Sequence, residues 1–315
     1  MDTAWQWRSE GKLVAFAVVV GTGGSAPRAA GARLLACEDG AFFGSVSGGC
    51  VEGEVIAAAA EVMRTGKPQL LNFAAAVDGE WRAGLSCGGD IRVFVHKPPD
   101  AAIAKMRKLA AARMPITIET DTTTGKQVIS AAKSAKKEVA TIAGGVFVET
   151  ILPARRLFII GATHIARELL AMAAVLEMEC IVIDPRAAWA SAERFGDAKV
   201  LRQWGDDAFA KMRPTERDAV VALAHDEKID DPALLAALTA KAKPAYIGAL
   251  GSSRTHQKRL RRLHEQGASE VVLADIHAPV GLDIGAKTPA EIAVAIVAEM
   301  VAAFRGKDTK RTLQT

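Results

Sequence analysis

The sequence predicts an α/β protein: a C-terminal Rossmann-like, doubly wound parallel sheet, preceded by an N-terminal α+β domain. Three observations carry this. Past Pro153, short apolar runs alternate with helical patterns, the rhythm of a parallel sheet covered on both faces. The first such unit, Arg156 to Asp184, has a glycine where strand turns into helix and an acid at the end of its second strand. Before Pro153, by contrast, a hairpin signal (Glu38-Asp39-Gly40) sits between apolar runs. The expected division is therefore 1–153 and 154–315.

In the first domain, Leu13–Val20 reads as a buried strand ending at the glycine-rich turn Gly21 to Arg28. Arg33–Cys37 and Ala41–Phe43 form the hairpin. A helix from Val51 to Arg64 stops at Gly66, with Pro68 beyond it. Leu70–Phe73 and Ile91–Val95 are further strands, and Pro98-Pro99 breaks the chain before a helix over Ala101–Ala112. Short strands follow around Ile116–Glu119, Gln127–Ser130 and Gly145–Glu149.

In the second domain, Arg156–Ile160 leads through Gly161-Ala162-Thr163-His164 into a helix reaching Glu177. Cys180–Ile183 ends on Asp184. Strands near Val200, at Asp218–Leu223 and at Ala245–Ala249 come next, and the last helix runs from Pro289 to Phe304. Ile276 to Gly285 reads as a glycine-rich loop. The basic tail Arg305–Arg311 is expected to fray.

With 315 residues, half of them hydrophobic and 24% charged, the chain suits two soluble domains with separate cores. A net charge of +4 gives no argument for nucleic acid. The polar start does not read as a signal peptide, and Leu13–Val20 is far short of a membrane span. Four scattered cysteines make no secreted disulfide framework, so a reducing cytoplasm is expected.

The chemistry points to Cys50 and Cys87. Both lie in glycine nests, Gly44-Ser-Val-Ser-Gly48-Gly49-Cys50 and Gly84-Leu-Ser-Cys87-Gly88-Gly89, where the backbone can turn sharply and present a thiol. Cys50 also precedes a helix, whose dipole favours the thiolate. Such a thiolate either attacks an electrophile or binds a soft metal. Cys37 and Cys180, on apolar strands, read as core residues. Glu52 either modulates the thiol or caps the helix. Arg28 and Arg33 are candidate anion contacts, although Arg33 on an edge strand could equally face solvent.

In the second domain Gly161 and Asp184 fit a dinucleotide turn, but Thr163 replaces the glycine that lets a pyrophosphate approach. Gly251-Ser252-Ser253-Arg254 opens a helix after a strand, an anion-binding arrangement. Lys258, Arg259 and Arg262 form either a partner patch or a solvated helix face. His164, His225, His256 and His277 lack the close spacing of a zinc motif.

Taken together, Gly24-Ser-Ala-Pro-Arg28, Gly44 to Gly53, Cys87-Gly-Gly, His225-Asp226 with Asp230 to Leu235, Tyr246 to Ser252, Arg254-Thr-His256 and Ile276 to Gly285 resemble the XdhC/CoxI family. These are accessory proteins for molybdenum hydroxylases such as xanthine dehydrogenase and carbon monoxide dehydrogenase. The resemblance runs from about Leu13 to Phe304. It implies a carrier that binds molybdenum cofactor (molybdopterin, with the presence of a nucleotide left open), shields it, supports its sulfuration by a cysteine desulfurase, and passes it to the apoenzyme. A homodimer is the expected assembly.

On this reading cofactor lies between the two domains, with Cys50 as the metal contact and Cys87 nearby. Arg28, Gly251, Ser252 and Arg254 would hold phosphate. Gly48, Gly49, Gly161, Thr163, His164, Asp184, His225 and His277 complete the expected cofactor site. No catalytic residue is expected, because a carrier needs no acid–base pair and none stands out. The family usually has Gly-Ala-Gly-His where this chain has Gly161-Ala162-Thr163-His164. The competing readings are an NAD(P)-dependent oxidoreductase with a reactive cysteine, which Thr163 disfavours, and a scaffold using the Lys258 patch.

Overall fold

Strand β1 (Val14–Gly23) sends alternate side chains to two different cores. Ala15, Ala17 and Val19 pack against helix α2 (Glu52–Thr65), which offers Val55, Ala59 and Val62 at helical spacing. Val14 and Phe16 point the other way, toward α1 (Asp2–Ser9) and α3 (Asp100–Ala111). The computed structural model describes residues 2–74, 88–132, 135, 137–196 and 198–307. The chain divides into two units, Met1–Pro153 and Ala154–Thr315.

In the first unit β1 is flanked by β2 (Arg33–Cys37), β3 (Phe42–Gly44), β4 (Gln69–Phe73) and β5 (Asp90–His96), in the antiparallel order β3-β2-β1-β5-β4. A second antiparallel sheet holds β6 (Ile116–Asp121), β7 (Gln127–Ala131), β8 (Val139–Ala143) and β9 (Val146–Ile151), in the order β7-β6-β9-β8. Register decides what matters for function. Gly23 pairs with Asp90, Leu34 with Gly44 and Phe73 with Ile91. The segments after β1, after β3 and before β5 therefore leave the sheet at one end.

Two of these elements are not anticipated from sequence. Helix α1 buries only Ala4, and β8 is an edge strand with no buried residue, so neither carries a clear apolar period. Strand β1 also runs on through Gly21-Thr22-Gly23, past a register shift, where the sequence suggests a turn. Gly21 and Gly23 pair across the sheet with Arg92 and Asp90, and a side chain at either glycine would collide with those neighbours.

The second unit is a six-stranded parallel sheet: β10 (Arg156–Ile160), β11 (Glu179–Ile183), β12 (Lys199–Leu201), β13 (Ala219–Ala222), β14 (Tyr246–Ala249) and β15 (Ile276–His277). Its order, β12-β11-β10-β13-β14-β15, is the Rossmann order 3-2-1-4-5-6. Helices α4 (His164–Val175), α5 (Ala192–Phe195), α6 (Gly205–Met212), α7 (Glu227–Leu238), α8 (Ser253–Glu265), α9 (Glu270–Leu273) and α10 (Pro289–Phe304) complete it. Phe158, Ile160, Ile181 and Val220 face α7, while Leu157, Ile159, Val182 and Val221 face α4 and α10. Burial on both faces is why these strands read as unbroken apolar runs. Strand β15 lies in the segment read as a loop, and its two residues are too few for any periodicity. Among the described residues, no helix is long and apolar enough to cross a membrane.

Candidate functional site

The turn from β3 into α2 is built around one carboxylate. Glu52 Oε1 accepts hydrogen bonds from Ser45 Oγ at 2.6 Å and from the N–H groups of Val46 (3.1 Å), Ser47 (2.9 Å) and Gly48 (3.2 Å). Oε2 accepts from the Gly49 N–H at 2.8 Å and from Ser47 Oγ. Burial opposes ionisation, but the two hydroxyls and the N–H groups outweigh it and bring the Glu52 carboxyl down to about 2. Gly48 and Gly49 sit at φ of +81° and +120°, with open space where a Cβ would stand, so backbone conformation alone demands glycine there. Their N–H groups face Glu52. Glu52 thus fixes the turn from within.

Cys50 is exposed, one residue before Val51, the buried N-cap of α2. Val51 supplies no side-chain cap, and the first turn of α2 carries the carboxylates Glu52 and Glu54. The other described cysteines differ. Burial raises the Cys37 thiol and pushes Cys180 up to about 11; Cys37 is a core residue as read, whereas Cys180 is only half-buried against the core.

A second loop meets this end of the sheet. A Cβ on Gly89 would lie 2.7 Å from the Ala26 nitrogen and 2.8 Å from the Gly23 carbonyl oxygen, so only glycine lets the two backbones touch. Arg28, in the same loop, is exposed. Cys87 lies outside the described residues. Arg33 neither faces solvent alone nor waits for an anion: it is ion-paired with Glu149 of β9, a buried carboxylate whose pKa burial raises.

The remaining candidates gather along the carboxyl rim of the parallel sheet. Gly161 has φ +99°, and a Cβ there would stand 2.5 Å from the Ala224 nitrogen. The loops after β10 and β13 therefore touch at the point where strand order reverses. Thr163 caps α4, its Oγ1 accepting the Ala166 N–H at 3.4 Å, which accounts physically for threonine at this position. His164 and His225 are exposed, and His225 adopts φ +57°. Ser252 caps α8, with Arg254 exposed beside it.

Asp184 is fully buried and carries four donors. Oδ1 accepts the Arg186 N–H and Nε–H, both at 2.9 Å; Oδ2 accepts the Ala162 N–H and Arg186 Nη2, both at 2.8 Å. Although burial opposes it, these bonds lower its pKa.

Glu299, missed by sequence reasoning, and Tyr246, which opens one of the motif segments, support His277. Glu299 Oε1 lies 3.0 Å from His277 Nδ1, and Oε2 accepts the Tyr246 hydroxyl at 2.6 Å and the Gly281 N–H at 2.8 Å. Burial works against the Glu299 charge, yet the His277 and Tyr246 bonds hold its pKa below the usual range. An ionised Glu299 can only accept, so His277 Nδ1 is the donor in this contact. Glu299 sits mid-helix in an apolar stretch, which is the one signal that could have exposed it.

The partner patch of Lys258, Arg259 and Arg262 does not form. Arg259 is buried and donates to the Leu250 carbonyl, and Arg262 is paired with Asp231 at 2.6 Å. Helical geometry puts Arg254, Lys258 and Arg261 on the exposed side instead. Among the described residues, no three His, Cys, Asp or Glu side chains converge in a way that could hold a metal ion.

Comparison with known proteins adds to this geometry. Residues 157–300 match the XdhC Rossmann domain and residues 7–74 match the XdhC and CoxI family. The chain is 31% identical over 293 residues to the molybdenum cofactor insertion chaperone PaoD of Escherichia coli (strain K12), covering 92% of this chain and 83% of that protein. It is 26% identical over 312 residues to a Bacillus subtilis (strain 168) protein named as a probable xanthine dehydrogenase component, covering 91% and 92% respectively. A crystal structure of a xanthine dehydrogenase from Bacillus halodurans has the same fold, with a TM-score of 0.79 at 23% identity over 99% of this chain and 97% of that one. On the matched domains, the relatives and the motif residues alike, this chain belongs to the XdhC and CoxI family.

Proposed function

We propose that this protein is a carrier of molybdenum cofactor, which it protects, presents for sulfuration by a cysteine desulfurase, and delivers to a hydroxylase apoenzyme of the xanthine dehydrogenase or carbon monoxide dehydrogenase type. The observation that carries the reading is the exposed Cys50 thiol, held on a turn that Glu52 organises before any ligand arrives. A preformed turn lowers the ordering cost of binding. Thiolate is a soft ligand suited to a metal already held by sulfur. Arg28, and Ser252 and Arg254 at the start of α8, are the phosphate contacts on this reading, with Cys87 as a second thiol. The carrier works in the cytoplasm, where thiols remain reduced, and as a homodimer.

The oxidoreductase alternative is weaker. Asp184 has no open acceptor for a ribose diol, and Thr163 occupies the place of the pyrophosphate glycine.

Anaerobic purification from cells that make the cofactor, followed by molybdenum analysis and release of the pterin, tests the proposal. Wild-type protein should carry molybdenum and pterin in equal amounts, and mass analysis of the pterin reveals any nucleotide. Cys50→Ala should lose most of the metal. Full retention by Cys50→Ala, with unchanged activation of the client, removes Cys50 from the mechanism.

A further inference from the structure

Behind the loops after β13 and β14 lies a buried charge pair whose atoms do not meet. Asp230 of α7 and Arg259 of α8 are both buried, yet Asp230 Oδ2 stands 3.9 Å from Arg259 Nη2. Among the described residues, Asp230 Oδ2 and Arg259 Nε and Nη1 have no hydrogen-bond partner. Burial opposes both charges: it pushes the Asp230 carboxyl up to about 7 and brings the Arg259 guanidinium down. Helix docking does not require this pair. Arg262, paired with Asp231 at 2.6 Å and with Glu227 at 3.3 Å, already ties α7 to α8. Buried polar atoms left unsatisfied are costly, so stability does not account for the inner pair.

What the two residues do hold is backbone, one loop each. Asp230 Oδ1 accepts the Ala224 N–H at 3.2 Å, and its carboxylate also accepts the His225 N–H. His225 stands at φ +57°, a left-handed conformation that a non-glycine residue keeps only when its surroundings impose it. Arg259 Nη2 donates to the Leu250 carbonyl at 2.9 Å, directly before Gly251 (φ +138°) and the Ser252 cap of α8. The loops also approach each other, since a Cβ on Gly251 would stand 3.8 Å from His225 Cε1. A shift of either charged side chain therefore moves one loop against the other.

We propose that Asp230 and Arg259 are positioning residues that couple the His225 turn to the start of α8, setting both turns for one phosphate-bearing ligand. Both are buried and act through the backbone they hold. This coupling rests on the reading of Ser252 and Arg254 as phosphate contacts and does not involve Cys50.

Amide exchange followed by NMR on the full chain tests the coupling without any ligand. Asp230→Asn should speed exchange of the Leu250 amide, in the loop it does not hold, by about fivefold or more, the size of an ordinary coupling between sites. Arg259→Met should do the same at Ala224. The β11 amides should keep their wild-type rates in both, whereas a general loss of stability would speed them too. Arg259→Lys keeps a charged donor and should restore slow exchange in large part. The double variant should be no worse than the stronger single one, because both substitutions break one link.

Sulfate, a dianion throughout the neutral range, supplies the second readout by calorimetric titration. By charge alone Asp230→Asn should bind it more tightly, since a nearby negative charge is gone. Coupling predicts the opposite, binding weaker by about fivefold or more. In the wild type, which needs no variant to fold, saturating sulfate should slow Ala224 and Leu250 together relative to β11. Exchange effects confined to the loop that each residue holds, additive effects in the double variant, or tighter sulfate binding by Asp230→Asn overturns the inference. Failure of the wild type to bind sulfate removes the phosphate reading of Ser252 and Arg254 and leaves only the mechanical link, which exchange in the free protein decides.

Discussion

Glu52 has the clearest energetic consequence of any single residue in the first unit. Its carboxyl falls from an ordinary 4.5 to about 2 on folding. A lowered carboxyl contributes stability that is present above the unfolded value and is lost as pH falls toward the folded one. Glu52→Gln keeps the shape but replaces one accepting oxygen with a donating amide, facing N–H groups that can only donate. The variant should lose about 1.5–3 kcal/mol near neutral pH. Urea unfolding of both proteins at neutral pH and at about pH 3 checks this, since the gap must narrow in acid. A gap independent of pH would mean that the charge of Glu52 does not hold the turn. Sequence placed Cys50 at the head of a helix and left Glu52 between two roles. The carboxylate instead takes a third: it binds the loop that precedes it.

Among the elements, α4 and its entry turn explain the departure from the usual glycine. Thr163 closes the first turn of α4 by accepting the Ala166 N–H. Thr163→Ala should cost about 0.5–1 kcal/mol, and Thr163→Gly only a few tenths, because glycine leaves the N–H groups open to water. Thermal unfolding of the two variants decides it; a glycine variant at least as destabilised as the alanine one would show that capping is not what Thr163 supplies. Strand and helix positions throughout β10–α4–β11 were legible because burial on both faces writes long apolar runs. Helix α1, β8 and β15 were not, since each is short or almost wholly unburied. The basic stretch in α8 was legible as charge but not as surface. Only the helix's packing decides that Arg259 turns inward while Lys258 turns out.

At the scale of the whole molecule, each unit has its own core. The first is built on antiparallel sheets around β1, and the second on two layers of helices about a parallel sheet. Fragments 1–153 and 154–315 should therefore each unfold cooperatively when expressed alone, with urea slopes that scale with their buried surface. Circular dichroism and urea titration of the fragments test this, and a fragment lacking a cooperative transition would show that its core needs the other. The sequence alone determined the Rossmann class, the glycine turn at Gly48-Gly49 and the place of Cys50 at the head of α2, because these depend on local backbone demands and on periodic burial. Tertiary structure alone decided which polar groups meet: Glu52 with its own turn, Asp184 with Arg186, His277 with Glu299, and Arg33 with Glu149. Contacts of that kind join residues by angle and distance in space, and no spacing along the chain encodes them.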